Sequence, residues 1–141
     1  MSTTHGARSW ASRLRWTAFT LILALEVLAM GSAGLSKFQN ADGWLLWFGR
    51  FGYPPRMAFV VGAVEMLGAG LLLLPGVAAY AALVLCVVMV GALEAVLTTE
   101  TDLGWFDPVI HLAFLGIILR ARWGRRWRPR RDRVDPLPRL R

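Results

Sequence analysis

The chain has 141 residues, of which 56% are hydrophobic, and its mean hydropathy is +0.49. This composition excludes an ordinary soluble domain of this size and predicts a small single-domain membrane protein. The net charge is +7, but ten of the sixteen basic residues are arginines between Arg120 and Arg141, directly after an apolar segment. A cytoplasmic flank in contact with anionic lipid accounts for that run, and without a recognition motif we expect no nucleic-acid binding. The single cysteine, Cys86, permits no internal disulfide and no CxxC pair.

Residues 1–15 form a basic N-terminal tail, and an apolar run over residues 16–36 is long enough to be the first span. A signal peptide with a small-x-small cleavage site at Gly31–Ala33 is the alternative. Glu26 lies inside the apolar run and favours an uncleaved helix. The following loop, residues 37–56, is rich in aromatic residues that suit a membrane interface, and a short amphipathic helix is expected around Trp44 to Phe51.

Three further spans are predicted over residues 57–74, 77–97 and 105–122. The second span carries one carboxylate, Glu65, which a bilayer tolerates only if the side chain points inward to protein or water. Asp107 and Pro108 read as the N-cap and the first helical residue of the fourth span. Residues 123–141 are charged and contain proline, so we expect them to be mostly disordered.

Thirteen of the sixteen basic residues lie in the two tails, which places both termini in the cytoplasm and agrees with an even number of spans. The predicted fold is an all-α membrane four-helix bundle that crosses the membrane several times. Small residues that would let these helices approach closely are Gly31, Gly34, Gly62, Gly68 and Gly91.

Ionisable groups on all four helices are predicted to converge in the outer half of this bundle. The candidates for a ligand or proton site are Glu65, Glu26, Glu94, His111, Asp107 and Lys37. Helical spacing puts Lys37 on the face of Glu26, and His111 on the face of Asp107. Buried carboxylates beside a histidine can exchange protons, hydrogen-bond a quinone-like head group or bind a cation. Alternatively, Glu65 and Glu26 only fix helix packing, and the other groups are interfacial.

The chain has two histidines, His5 and His111, and lacks Glu-x-x-His pairs, so a two-histidine haem within one chain and a di-iron site are not expected, and no metal site is predicted. The motifs Gly34-x-x-Lys37, Gly52-x-Pro54, Gly62-x-x-Glu65 and Met89-x-Gly91-Ala92 occur in this order. In these motifs, residues 16–120 resemble the DoxX family of small four-helix bacterial membrane proteins.

The resemblance implies a four-span, multi-pass fold in the inner (plasma) membrane of a bacterial cell. It also implies a link to redox or oxidative-stress functions, because the family takes its name from a subunit of a thiosulfate:quinone oxidoreductase. Many relatives carry Thr-His shortly after the Met-x-Gly-Ala motif, whereas this chain has Ala95-Val96 there, preceded by Glu94. Any role of that histidine would pass here to Glu94 or His111.

The predicted function is therefore a subunit or accessory factor of a membrane redox system, with a quinone bound near Glu65 and a redox partner protein or a second copy as partner. A membrane scaffold acting through the basic tail, or a small transporter using Glu65 for proton coupling, are the alternatives.

Overall fold

The computed structural model describes residues 4–99 and 104–126, and within these ranges it is entirely α-helical. The five helices found there are α1 (Thr4–Gln39), α2 (Ala41–Arg50), α3 (Met57–Leu72), α4 (Ala78–Thr98) and α5 (Phe106–Arg126). The all-α prediction is confirmed, and the short helix expected in the aromatic loop is present as α2.

The helix ends differ from the predicted ones at three places. Helix α1 already begins at Thr4, so most of the basic N-terminal tail is helical and continuous with the apolar run. Helix α5 begins at Phe106, which places Asp107 in its first turn instead of at the N-cap. It also continues through Arg126, into the segment expected to be disordered, while residues 127–141 lie outside the described residues.

Among the helices in the described part of the chain, two are long and apolar enough to cross a membrane by length and composition. These are α1, over Trp10–Gln39, and α4, over Ala78–Thr98. Helix α3 is equally apolar in character but has 16 residues. Large apolar side chains such as Leu28, Leu67 and Val90 are exposed on the outer faces of these helices, a surface that suits a lipid environment.

Helices α1 and α3 pack against each other in opposite directions. Phe38 contacts Phe59 with ring centroids 5.7 Å apart, Gly34 meets Gly62, and Gly31 faces Ala69. A Cβ added to Gly34 would lie 2.6 Å from the Gly62 carbonyl oxygen, closer than real Cβ atoms approach. The two backbones therefore touch, and glycine is required because any side chain would separate them.

The interior of the helix packing is mostly apolar. Its largest fully buried apolar side chains come from all four long helices: Met30, Leu72, Leu85, Leu115 and Ile118. Leu85 of α4 fills the notch at Gly68 of α3, where an added Cβ would lie 2.8 Å from the leucine side chain. This contact joins α4 to α3 in the same way that the glycine pair joins α1 to α3.

The connection between α2 and α3 is tied to the end of α4. Gly52 makes the turn with a φ of +80°, a conformation that L side chains rarely adopt. The Tyr53 hydroxyl then donates a 2.7 Å hydrogen bond to Glu94 Oε2. This hydrogen bond to Glu94 raises the pKa of Tyr53 above its ordinary value of 10.0.

Substituting Gly34 tests the close contact between α1 and α3. We expect Gly34→Ala to lower the free energy of unfolding by about 1–3 kcal/mol, because the added methyl group must push the helices apart. Gly70→Ala is the matched control, since an added Cβ meets no atom within 4 Å there and alanine is the better helix former by about 1 kcal/mol. Thermal unfolding in detergent measures both. A Gly34→Ala protein as stable as Gly70→Ala would contradict the contact.

The Tyr53–Glu94 hydrogen bond predicts a pH dependence at alkaline pH. Because the pKa of Tyr53 is raised in the folded state, its contribution to stability is fully present below pH 10.0 and is lost as pH rises through the raised value. In a Tyr80→Phe background, Tyr53 is the chain's remaining tyrosine and its phenolate absorbance can be titrated alone. We expect Glu94→Gln to bring the pKa of Tyr53 back toward 10.0, and Asp42→Asn, an exposed carboxylate elsewhere, to leave it unchanged.

Candidate functional site

A cavity of about 560 Å³ lies among the helices at the end that holds the α1–α3 and α4–α5 connections. Its volume is within the range of roughly 300–1,000 Å³ usual for small-molecule sites. The polar side chains on its wall are Lys37, Tyr53, Glu65, Asp107 and His111, and the wall is otherwise apolar or aromatic. A mostly apolar cavity with a few converging polar groups is the arrangement typical of a ligand site.

A buried ion pair forms the polar centre of this cavity. Lys37 Nζ lies 2.6 Å from Glu65 Oε2, and the two side chains are 6% and 4% exposed. The ammonium group also lies 4.4 Å from the centroid of the Trp44 ring and 3.4 Å from the Ala33 carbonyl oxygen. Two opposite charges in contact, with further partners for the cation, can remain in an interior that would reject either charge alone.

The glycine contact determines where this pair forms. Because α1 and α3 run in opposite directions, Lys37 lies beside Gly62. A Cβ added to Gly62 would be 3.0 Å from the Cβ of Lys37. Side chains on a helix point toward its N-terminus, so the lysine extends back along α1 toward Ala33. That direction brings Nζ to Glu65, one turn further along α3 than Gly62.

A second set of ionisable groups joins α1 to α5. His111 Nδ1 lies 3.0 Å and 3.2 Å from the two carboxylate oxygens of Glu26, which is fully buried. On the other side of the ring, Nε2 lies 3.7 Å from Asp107 Oδ1. Asp107 and His111 are separated by four residues, so the helical repeat of α5 places them on one face.

The predicted site residues fall into three positions. Lys37, Glu65, Asp107 and His111 line the same cavity, and Glu65 is buried and faces inward. Glu26 does not line the cavity but lies behind His111. Glu94 does not line it either. Its carboxylate is exposed and holds Tyr53, which does line the cavity.

The predicted packing glycines also differ in their surroundings. Gly34, Gly62 and Gly68 make the close helix contacts, while at Gly31 an added Cβ would meet Ala69 at an ordinary 3.9 Å. At Gly91 an added Cβ would have no atom within 4 Å, and this residue lines the cavity instead of a helix contact.

The partner of Lys37 and the part played by the aromatic loop were not predicted from the sequence. Trp44, Phe48 and Tyr53, interpreted as membrane-interface residues, lie on the cavity wall, and Phe48 is buried. The place of α2 in the sequence could have indicated this role. A short helix that connects two antiparallel spans lies near their ends, where one of its faces can cover a cavity between them.

The site can supply hydrogen bonds and protons to a planar polar ligand. The Lys37 ammonium has three donors, and Glu65, His111 and Asp107 can accept or exchange protons. Aromatic rings of Trp44, Phe48 and Phe51 provide flat apolar walls. Within residues 4–99 and 104–126, no group of three or more His, Cys, Asp or Glu side chains is placed to hold a metal ion.

Comparison with known proteins confirms the family resemblance noted from the sequence. A family model described as the DoxX-like family matches residues 18–118, a range that includes Lys37, Glu65 and His111. A Bacillus subtilis (strain 168) protein named "Putative oxidoreductase CatD" is 37% identical over 91 residues, which cover 59% of this chain and 67% of that protein. No solved structure matches the chain significantly. The family match covers most of the chain and all of its cavity-lining residues, and the chain therefore belongs to the DoxX-like family of membrane proteins.

Proposed function

We propose that the protein is a subunit or accessory factor of a membrane redox system and that its cavity binds the head group of a quinone. Family membership and the oxidoreductase name of the Bacillus subtilis relative support a redox role. In this proposal the helices α1, α3, α4 and α5 form a multi-pass four-helix bundle in the bacterial plasma membrane.

The orientation proposed for this bundle rests on the distribution of arginine. Both termini lie in the cytoplasm, where the basic segment from Arg120 to Arg141 contacts anionic lipid. The cavity then opens toward the outer side, because it lies at the end that holds the α1–α3 and α4–α5 connections. The electrons come from a redox partner protein, and a second copy of this chain is the other partner expected.

The buried Lys37–Glu65 pair in an aromatic cavity is the observation that carries the quinone proposal. A quinone head group is a flat apolar ring with two carbonyl oxygens that accept hydrogen bonds. The Lys37 ammonium has a donor to spare beyond Glu65 and Ala33, and the His111 ring offers a second polar group on the same wall. The residues present therefore fit the head group, and the apolar wall fits an isoprenoid tail.

Each residue of the pair has a separate task in this proposal. Lys37 donates to a carbonyl oxygen of the ligand, and a positive charge there stabilises the negative charge that develops on reduction. Glu65 holds the ammonium in position and keeps the site neutral before the ligand enters. When the oxygen is protonated, the Glu65 carboxylate can accept a hydrogen bond from the new hydroxyl group.

Quinone binding by the purified protein is the direct test. We expect saturable binding of short-chain ubiquinone or menaquinone analogues by isothermal titration calorimetry in detergent, and about ten-fold weaker binding by Glu65→Gln. The amide keeps the shape of the side chain but removes the charge that orients Lys37, and a charge-assisted hydrogen bond contributes about 1.5–3 kcal/mol. Asp42→Asn is the matched control, because it removes an exposed carboxylate that does not line the cavity.

Failure of this test has a definite meaning. If wild type and Asp42→Asn are folded and neither binds any quinone analogue, the quinone proposal is wrong. Proton flux into liposomes that disappears in Glu65→Gln would then support the transporter alternative. A protein that tolerates Glu65→Gln but loses its function without residues 124–141 would support the scaffold.

The stability of the ion pair determines how these variants are interpreted, and it can be measured separately. We expect Lys37→Met and Glu65→Leu each to lower the free energy of unfolding by about 3–5 kcal/mol, because each leaves a buried charge without its partner. The double variant should recover most of that loss, since it buries no charge. Thermal unfolding of the wild type, the two single variants and the double variant gives a complete double-mutant cycle. Additive losses in the double variant would show that the two side chains do not interact.

A further inference from the structure

Three ionisable side chains form a line from the protein surface to the helix interior. The Asp107 side chain is 86% exposed, His111 is 14% exposed and Glu26 is 0% exposed. The Nδ1 atom of His111 faces Glu26 at 3.0 Å, and its Nε2 atom faces Asp107 at 3.7 Å. The imidazole thus bridges an acid in contact with water and an acid enclosed by protein.

The contact with Glu26 determines which nitrogen of His111 can exchange a proton. An ionised carboxylate only accepts hydrogen bonds, so the tautomer that bonds to Glu26 in its ionised form carries the hydrogen on Nδ1. The other nitrogen, Nε2, is left to gain and lose a proton. A carboxylate that fixes the tautomer of a histidine in this way is a common feature of proton-transfer sites.

The exchangeable nitrogen is located where protons could enter the cavity. Both His111 and Asp107 line the cavity wall, whereas Glu26 lies behind the imidazole ring. The distance of 3.7 Å between Nε2 and Asp107 Oδ1 is too long for a direct hydrogen bond, and a bridging water or a rotation of the exposed Asp107 side chain closes it.

The other charged groups that face this set come from the packed helices. Glu65 of α3 is close enough to His111 for their charges to interact. The Cys86 thiol of α4 is close enough to Glu26 to be affected by the charge of that carboxylate. The Lys37 ammonium of α1 neutralises Glu65 and lies on the same cavity wall. None of these groups stands between Asp107 and His111 in the observed contacts.

We propose that Asp107 and His111 carry protons between the surrounding water and the cavity, with Glu26 as the positioning residue. Asp107 takes a proton from water and passes it to Nε2 of His111. Nε2 then gives that proton to an oxygen of the ligand, while Nδ1 keeps its own hydrogen on Glu26. Ligand oxidation runs the same transfers in reverse, and the electrons move separately. The inference deepens the proposed function, because it needs a ligand that exchanges protons in the cavity.

The proton path can be tested without any ligand, so its failure is distinguishable from failure of quinone binding. In a His5→Gln background, His111 is the chain's remaining histidine, and ¹⁵N-imidazole labelling reports on it alone. Solution NMR in detergent measures the ¹⁵N shifts of both nitrogens across pH and the rate at which the Nε2 proton exchanges with water. The variants are Asp107→Asn, Glu26→Gln and the matched control Asp42→Asn.

We expect Asp107→Asn to slow Nε2 proton exchange about ten-fold or more, a small part of the usual effect of a positioned acid–base group, and to leave the Nδ1 shift unchanged. Glu26→Gln should alter the Nδ1 shift and mix the two tautomers. Asp42→Asn should behave as wild type. Exchange in Asp107→Asn as fast as in Asp42→Asn would overturn the role of Asp107. A wild-type Nε2 proton that does not exchange with water would overturn the path as a whole.

Discussion

The ion pair between Lys37 and Glu65 is the constraint on which the rest of this structure depends. It joins α1 to α3 in an interior where neither charge could remain alone, and it does so at a distance of 2.6 Å. The pair can form because Gly34 and Gly62 let the two backbones touch. A side chain at either glycine would separate the helices and leave both charges unpaired. The contact between Gly34 and Gly62 therefore accounts both for the close packing of α1 and α3 and for the ion pair at the centre of the cavity.

The other helices complete the site around that pair. Helix α4 is held to α3 by Leu85 in the notch at Gly68, and helix α5 brings His111 to Glu26 of α1. Helix α2 contacts both α1 and α3 and contributes Trp44 and Phe48 to the cavity wall, and the neighbouring Tyr53 is hydrogen-bonded to Glu94 of α4. Buried polar groups on several helices thus meet in one cavity, while the outer faces stay apolar. This distribution fits the proposed quinone, whose head group would meet the polar centre and whose tail would meet the apolar wall.

Apolar runs and intramembrane charges made much of this predictable from the sequence. The helical segments followed from hydrophobic length, and the inward position of Glu65 followed from the cost of a carboxylate in lipid. The pairing of charges could not be predicted. Lys37 shares a helix face with Glu26 by spacing, yet it pairs with Glu65 and leaves Glu26 to His111. Which charges pair between helices depends on which helix faces are in contact and on how the helices are shifted along each other. Neither can be determined from the spacing of residues in a single sequence. The helical N-terminal segment was missed because residues 4–15 show no apolar period.

The Lys37–Glu65 pair also has a consequence for how the chain enters a bilayer. A charge at the bilayer centre costs roughly 2.5–3.5 kcal/mol on insertion scales, and Glu65 would impose such a cost on α3 alone. Joined to α1 through α2, this helix would enter with Glu65 already neutralised by Lys37, while Glu26 of α1 meets His111 only when α5 joins. In the proposed bundle, the pair thus favours entry of α1 and α3 together over entry of α3 alone. The contact that forms the polar centre of the cavity would also lower the cost of placing these two helices in a membrane.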